Sequence, residues 1–154
     1  MFAIFKDPPG PAASPTQLYL RRAAALLGFD EVPRSEREFS MLASQPVAPA
    51  VIERLLNFGV PSRYLGFITP QRTLSHRKAR GQMLTPDESD RAVRAARLLA
   101  LGETVFGDRA RALQWLARPV KQLHGNTPFE MMASESGARV VEELLVEIDE
   151  GYFA

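Results

Sequence analysis

Three times this chain writes the same helix-start signal: a hydroxyl residue, then proline, then Gln or Glu three residues after the hydroxyl. The instances are Ser14-Pro15-Thr16-Gln17, Thr85-Pro86-Asp87-Glu88 and Thr127-Pro128-Phe129-Glu130. The hydroxyl satisfies an orphan N–H of the first turn, and the Gln or Glu reaches back to the cap's own N–H. Proline at the first helical position costs no hydrogen bond and arrives with a helical φ. Ser35 to Glu38 repeats the spacing without the proline, and Gly28, Gly59, Gly81 and Gly107 stand where helices would stop. Nothing alternates apolar and polar residues with period two over a useful length. These marks leave room for one fold class, all-α.

The expected helices follow from that punctuation. The first runs from Pro15 to Leu27, and a short one from the Ser35 cap through about Ala43. A third opens at Pro49, carries the stripe Val51, Ile52, Leu55, Leu56 and Phe58, and closes at Gly59. Two short pieces are expected at Pro61–Phe67 and Pro70–Ala79, with Thr69 capping the second. The longest helix starts at Thr85 and reaches about Val105. Arg109–Ala117 follows until Pro119, then a short helix at Thr127, then a last helix from Ser134 or Glu135 to Glu150. Pro8, Pro9, Gly10 and Pro11 make residues 1–14 read as a flexible arm. No long-period repeat is present.

With 154 residues, 45% of them hydrophobic, the chain can build one compact domain or two small ones. The absence of cysteine excludes disulfides, thiolate metal sites and a cysteine nucleophile. No apolar run approaches the roughly 18–20 residues of a membrane span. Met1–Phe5 is too short for a signal-peptide core and meets Lys6-Asp7-Pro8 at once, so the expectation is a cytoplasmic protein with no membrane partner.

The net charge of +1 conceals a division. From Arg63 to Arg97 the chain is rich in Arg and Lys, whereas beyond Pro119 only Lys121 and Arg139 face seven acidic residues. Such asymmetry suggests an anionic partner for the middle and a cationic one for the end. In the middle, a helix, a turn containing Gly59-Val60-Pro61 and a short basic helix have the order of a helix-turn-helix. On that helix Leu74 must face inward, which puts Arg72, His76 and Ala79 on the opposite face, with Thr73 and Arg80 beside them. Arg can bridge guanine O6 and N7, and a threonine or alanine methyl can meet that of thymine. Arg77 and Lys78 flank the buried edge and suit phosphates. Next along, Asp87–Arg91 and Asp90–Arg94 have the i,i+4 order of a salt-bridged outer face that includes Arg97.

The end of the chain is an energetic oddity. Glu147, Asp149 and Glu150 crowd a last helical turn, where the macrodipole disfavours negative charge by a few tenths of a kcal/mol each. Gly151 then gives way to Tyr152-Phe153-Ala154, two aromatics that call for a cover. Folding back onto the chain's own core is one answer, and a partner is the other. Enzyme chemistry finds little support. His76 and His124 lie in different segments, and a His124 base oriented by Glu130 has no nucleophile motif or metal spacing beside it. No catalytic residue, metal or cofactor is expected.

Trp115-Leu116, Pro119, Leu123, Gly125, Thr127-Pro128-Phe129-Glu130, Gly137, Val140-Val141, Leu144-Leu145, Ile148 and Gly151-Tyr152-Phe153 form an ordered series. In it the chain resembles the antitoxins of the Xre/MbcA/ParS toxin-binding family. Upstream, Arg72-Thr73-Leu74, Arg77, Leu84-Thr85, Ser89-Asp90-Arg91 and Phe106-Gly107 resemble the Xre-type helix-turn-helix half of the same proteins. Where many relatives have a second arginine near Arg77, this chain has Ser75-His76.

The resemblance covers roughly residues 48–154. It implies an Xre-like helix-turn-helix bundle within residues 15–106, followed by a small helical toxin-binding domain at 107–154. The implied function is that of a type II antitoxin. It would block a RES-type, NAD-degrading toxin, or an ADP-ribosyltransferase-like one, by occluding its active site, and would bind operator DNA to repress its own operon. The implied DNA contacts are Arg72, Thr73, His76, Arg77, Lys78 and Arg80. Glu147, Glu150, Gly151, Tyr152, Phe153 and Ala154 would meet the toxin. A homodimer is implied by a pseudo-palindromic operator, with the apolar faces of the Arg109–Ala117 and last helices as candidate contacts. A DNA-binding regulator with an unrelated protein partner is the alternative reading.

Overall fold

A computed structural model describes residues 13–151. Tyr152, Phe153 and Ala154, and most of the expected arm, lie outside the described residues. Eight α-helices make up the described chain, with no strand among them: α1 (Pro15–Leu27), α2 (Glu36–Ala43), α3 (Val51–Phe58), α4 (Gln71–Ala79), α5 (Pro86–Phe106), α6 (Arg109–Leu116), α7 (Pro128–Met131) and α8 (Glu135–Asp149). The all-α expectation holds.

The three proline-bearing starts are complete capping boxes. At α5, Glu88 N donates to Thr85 Oγ1 at 3.2 Å and Thr85 N to Glu88 Oε1 at 2.8 Å. Reciprocal bonds likewise open α1 and α7. At α2 the box is only half made, because Glu38 accepts from Arg34 N at 2.7 Å instead of from the cap's own N–H.

α5 is the axis. Its 21 residues pack against α1, α3, α6 and α8. Ala92, Ala95, Ala96 and Ala100 are fully buried on it, and these small side chains let neighbouring helices approach closely. Leu20, Leu55, Leu98, Leu99, Leu116, Val141 and Leu145 close around them in one continuous core. Between α2 and α3 the chain is pinned to the start of α5. Leu84 N donates to Val47 O at 2.9 Å, and Val47 N to Ser89 Oγ at 3.1 Å.

Three expectations are corrected. The helix expected over Pro61–Phe67 is a 3₁₀ turn at Ser62–Tyr64. Gly66 weakens any helix there, and burying both Leu65 and Ile68 bends the segment inward. Thr69 does not cap α4. The cap is Pro70, with no side-chain bond, while Thr69 is buried with its hydroxyl beside Glu88. Nor do Arg91, Arg94 and Arg97 form an i,i+4 salt-bridged face. Arg91 donates to Ile68 O, Arg94 to the carbonyls of Met132 and Ala133, and Arg97 to Tyr19 Oη and Glu36. Their half-buried positions put distant carbonyls within reach, and a guanidinium can satisfy two at once. The candidate dimer faces are largely engaged within the chain as well. Val141, Leu144 and Leu145 of α8 and Ala112 and Leu116 of α6 are buried in it.

Candidate DNA-binding and partner-binding surfaces

α4 is held by one inward side chain, Leu74, and by its arginine edge. Arg77 Nε lies 2.8 Å from Glu88 Oε1, with the two side chains 21% and 8% exposed. The same carboxylate accepts from Thr85 N and lies beside the Thr69 hydroxyl. Although burial alone would raise its pKa, the nearby Thr69 hydroxyl, the bond from Thr85 and the Arg77 guanidinium hold Glu88 down at about 2. One ionised group thus starts α5 and clamps the end of α4. Of the six expected DNA contacts, Arg77 is therefore bound within the fold. Lys78 is exposed but pairs with Glu53 at 2.7 Å, which lowers the pKa of Glu53.

Arg72, His76 and Arg80 share the outer face of α4, all exposed, with Thr73 half-buried beside them. No acidic residue occurs on this helix. Arg63 adds a further exposed cation from the preceding turn, its guanidinium 4.6 Å from the Tyr64 ring centre. α4 and the turn before it thus present a cationic ridge one helix wide.

At the other end, α8 buries Ala138, Val141, Leu144 and Leu145 against α5 and leaves its opposite side open. Among the described residues no cation lies within ion-pair range of Glu147, Asp149 or Glu150, and the last turn carries no basic residue. Val140 and Val146 are 38% and 45% exposed on the same helix. No sequence expectation covered the exposure of these two valines, although both fall off the buried stripe and that offset was visible in the spacing. Gly151 follows in the left-handed region at φ 85°.

The histidines are not brought together. His124 is exposed in a turn at φ 55°, while the Glu130 carboxylate accepts from Thr127 N at 3.3 Å in the α7 box. The orienting partner that a His124 base would need is thus engaged in a cap.

The two surfaces coincide with two recognised segments. A family model described as Antitoxin Xre-like helix-turn-helix domain matches residues 45–97. One described as Antitoxin Xre/MbcA/ParS C-terminal toxin-binding domain matches residues 101–151. An "Antitoxin Xre" of Pseudomonas putida is 46% identical over 135 residues, 87% of this chain and 84% of that one. The chain belongs to the Xre antitoxin family. Proteins of the same name from Yersinia enterocolitica (31% over 86 residues, 55% of this chain and 58% of that one) and Photorhabdus laumondii (37% over 81 residues, 52% and 55%) are more distant. As an antitoxin of this family the chain carries the helix-turn-helix domain first and the toxin-binding domain second. α5 crosses the gap between the two matched segments without a break. α2 lies outside both, but any stretch covering 87% of the chain must include it.

Proposed function

We propose that this antitoxin neutralises a RES-type, NAD-degrading toxin by placing the end of α8 and the residues after it in the toxin's active site. The observation that carries this reading is the acidic last turn of α8, unpaired among the described residues and bordered by exposed Val146. A pocket that handles an anionic dinucleotide is cationic, and an acidic segment is its electrostatic complement. Glu147, Glu150 and Gly151 lead directly to Tyr152, Phe153 and Ala154, whose aromatics would supply the buried anchors of such a contact.

The second half of the proposal is operator binding and autorepression through Arg72, Thr73, His76 and Arg80. Lys78 and Arg63 would serve the phosphates, and Arg77 would act indirectly by fixing the helix. A nine-residue reading helix is only about 14 Å long and spans one half-site, so operator binding calls for a homodimer.

Removing residues 152–154 tests the first half. The truncated protein is expected to lose toxin neutralisation in cells while its operator affinity stays within about twofold, since the deletion lies far along the chain from α4. Full protection by the truncated protein would rule out occlusion by the tail.

A further inference from the structure

A cleft of about 420 Å³ opens where α1, α3, α5 and the start of α6 meet. Three arginines line it, Arg22, Arg54 and Arg109, against one carboxylate, Glu103. That leaves an excess of two positive charges. Glu103 is shared loosely, 3.9 Å from Arg22 Nε and 3.6 Å from Arg109 Nε, both beyond hydrogen-bond length. Arg22 also donates to Thr104 Oγ1 at 2.9 Å, and Arg109 lies over the Phe58 ring at 4.5 Å.

Arg54 has no such arrangement. Its Nη1 is buried with no hydrogen-bond partner among the described residues, and its guanidinium rests against Gly28, where a Cβ would overlap it. Asp30 and Glu31 line the hollow on its other side, yet neither comes within ion-pair range. A buried guanidinium nitrogen without an acceptor is costly, and folded proteins rarely leave one so.

We propose that this cleft binds a phosphorylated small molecule, with Arg109 and Arg54 gripping the phosphate oxygens once the Arg54 guanidinium turns from Gly28 into the cleft, and the Arg22–Glu103 pair forming the wall. Planar guanidinium forks match phosphate oxygens in geometry, and the excess of two charges matches a phosphomonoester dianion. The volume falls in the range of roughly 300–1,000 Å³ typical of small-molecule sites, and Ala25 and Leu26 supply an apolar wall. DNA is the other common source of phosphate, but the cleft faces away from α4. Ile52 and Leu56 line the groove shared with Gln71 and Leu74 of α4. Arg54, two residues from each, points about 160° around α3 from both.

Calorimetric titration of the full chain with inorganic pyrophosphate tests the site, with sodium sulfate at matched ionic strength as control. Saturable binding with a Kd below about 1 mM is expected, weakened at least about tenfold in Arg54→Gln and in Arg109→Gln and unchanged in Arg72→Gln. The Arg109 side chain is 53% exposed, so its replacement remains informative even where Arg54→Gln fails to fold. No saturable binding, equal binding of sulfate (an adventitious ion only), or full binding by Arg109→Gln would overturn the proposal. Operator binding by Arg109→Gln should keep the wild-type salt dependence. A slope reduced by about one phosphate contact would assign the arginines to DNA instead, and would also overturn it.

Discussion

Glu88 is the residue on which most of the local structure converges. It closes the α5 capping box, receives Arg77 from α4 and sits beside the Thr69 hydroxyl. Its pKa of about 2, against 4.5 for an unperturbed glutamate, makes it a term in acid stability. A depressed folded-state pKa gives stability that is complete above the unfolded value and disappears as pH falls from about 4.5 to about 2. At neutral pH this amounts to about 3 kcal/mol. Glu142, whose pKa burial raises, works in the opposite sense and gains stability as pH falls, so a pH profile of the wild type alone mixes the two. Urea melts of wild type and Glu88→Gln should differ by about 2–3 kcal/mol at pH 7 and converge near pH 2. A gap that persists at pH 2 would mean that packing, not charge, sets the difference. Gly137 offers a second test of the same kind. A Cβ there would collide with the Met131 carbonyl and the Ser134 hydroxyl, where α7 meets the first turn of α8. Gly137→Ala should therefore destabilise by about 1–3 kcal/mol despite the better helix propensity of alanine, and thermal melts would register the loss.

At the scale of elements, α4 is where charge pattern and contact diverge. Its basic residues do three different jobs. Arg72, His76 and Arg80 face outward, as the spacing indicated. Arg77 and Lys78, which the spacing put together at the buried edge, part company: Lys78 pairs with Glu53, and Arg77 is clamped by Glu88. Arg72→Ala is expected to cost about 1–3 kcal/mol of operator affinity, concentrated at one base position. Lys78→Ala should weaken binding uniformly and by less, because its ammonium already has a carboxylate partner. Equal losses at all base positions for both variants, measured by anisotropy on a substituted operator series, would make the ridge a nonspecific phosphate contact. Helix starts were legible because capping is a local, short-range device: Ser14, Thr85, Thr127 and Ser134 all act within four residues of themselves. What was not legible depended on distant partners. The i,i+4 acids beside Arg91 and Arg94 were a sound local expectation. It lost to carbonyls more than 20 residues away, which only the folded chain brings near. The Arg54 Nη1, without a hydrogen-bond partner among the described residues, left no sequence signal at all.

The whole molecule reads as two functions built on one axis. α5 begins inside the helix-turn-helix segment and ends inside the toxin-binding one, and the buried cluster runs through both. Tyr64, in the turn before α4, stacks on Phe129 of α7 with ring centres 5.1 Å apart. Arg94 bridges the same boundary, over the Phe67 ring at 5.4 Å while its donors reach the end of α7. Such a junction couples the stabilities of its two sides, and this has a measurable consequence. Trp115 is the single tryptophan and sits on α6, packed against the core and 5.9 Å from Phe106, so its fluorescence reports the second segment alone. Far-UV circular dichroism reports all eight helices. The two probes should give one coincident urea transition, as a cooperative single unit requires. Leu98→Ala removes a fully buried side chain from the middle of α5 and should shift both midpoints together, by about 2–5 kcal/mol. If Trp115 instead reported a separate transition that Leu98→Ala left in place, α5 would be a linker joining two independent domains. Its unbroken run through the core would then carry no energetic coupling between the DNA-facing and toxin-facing ends.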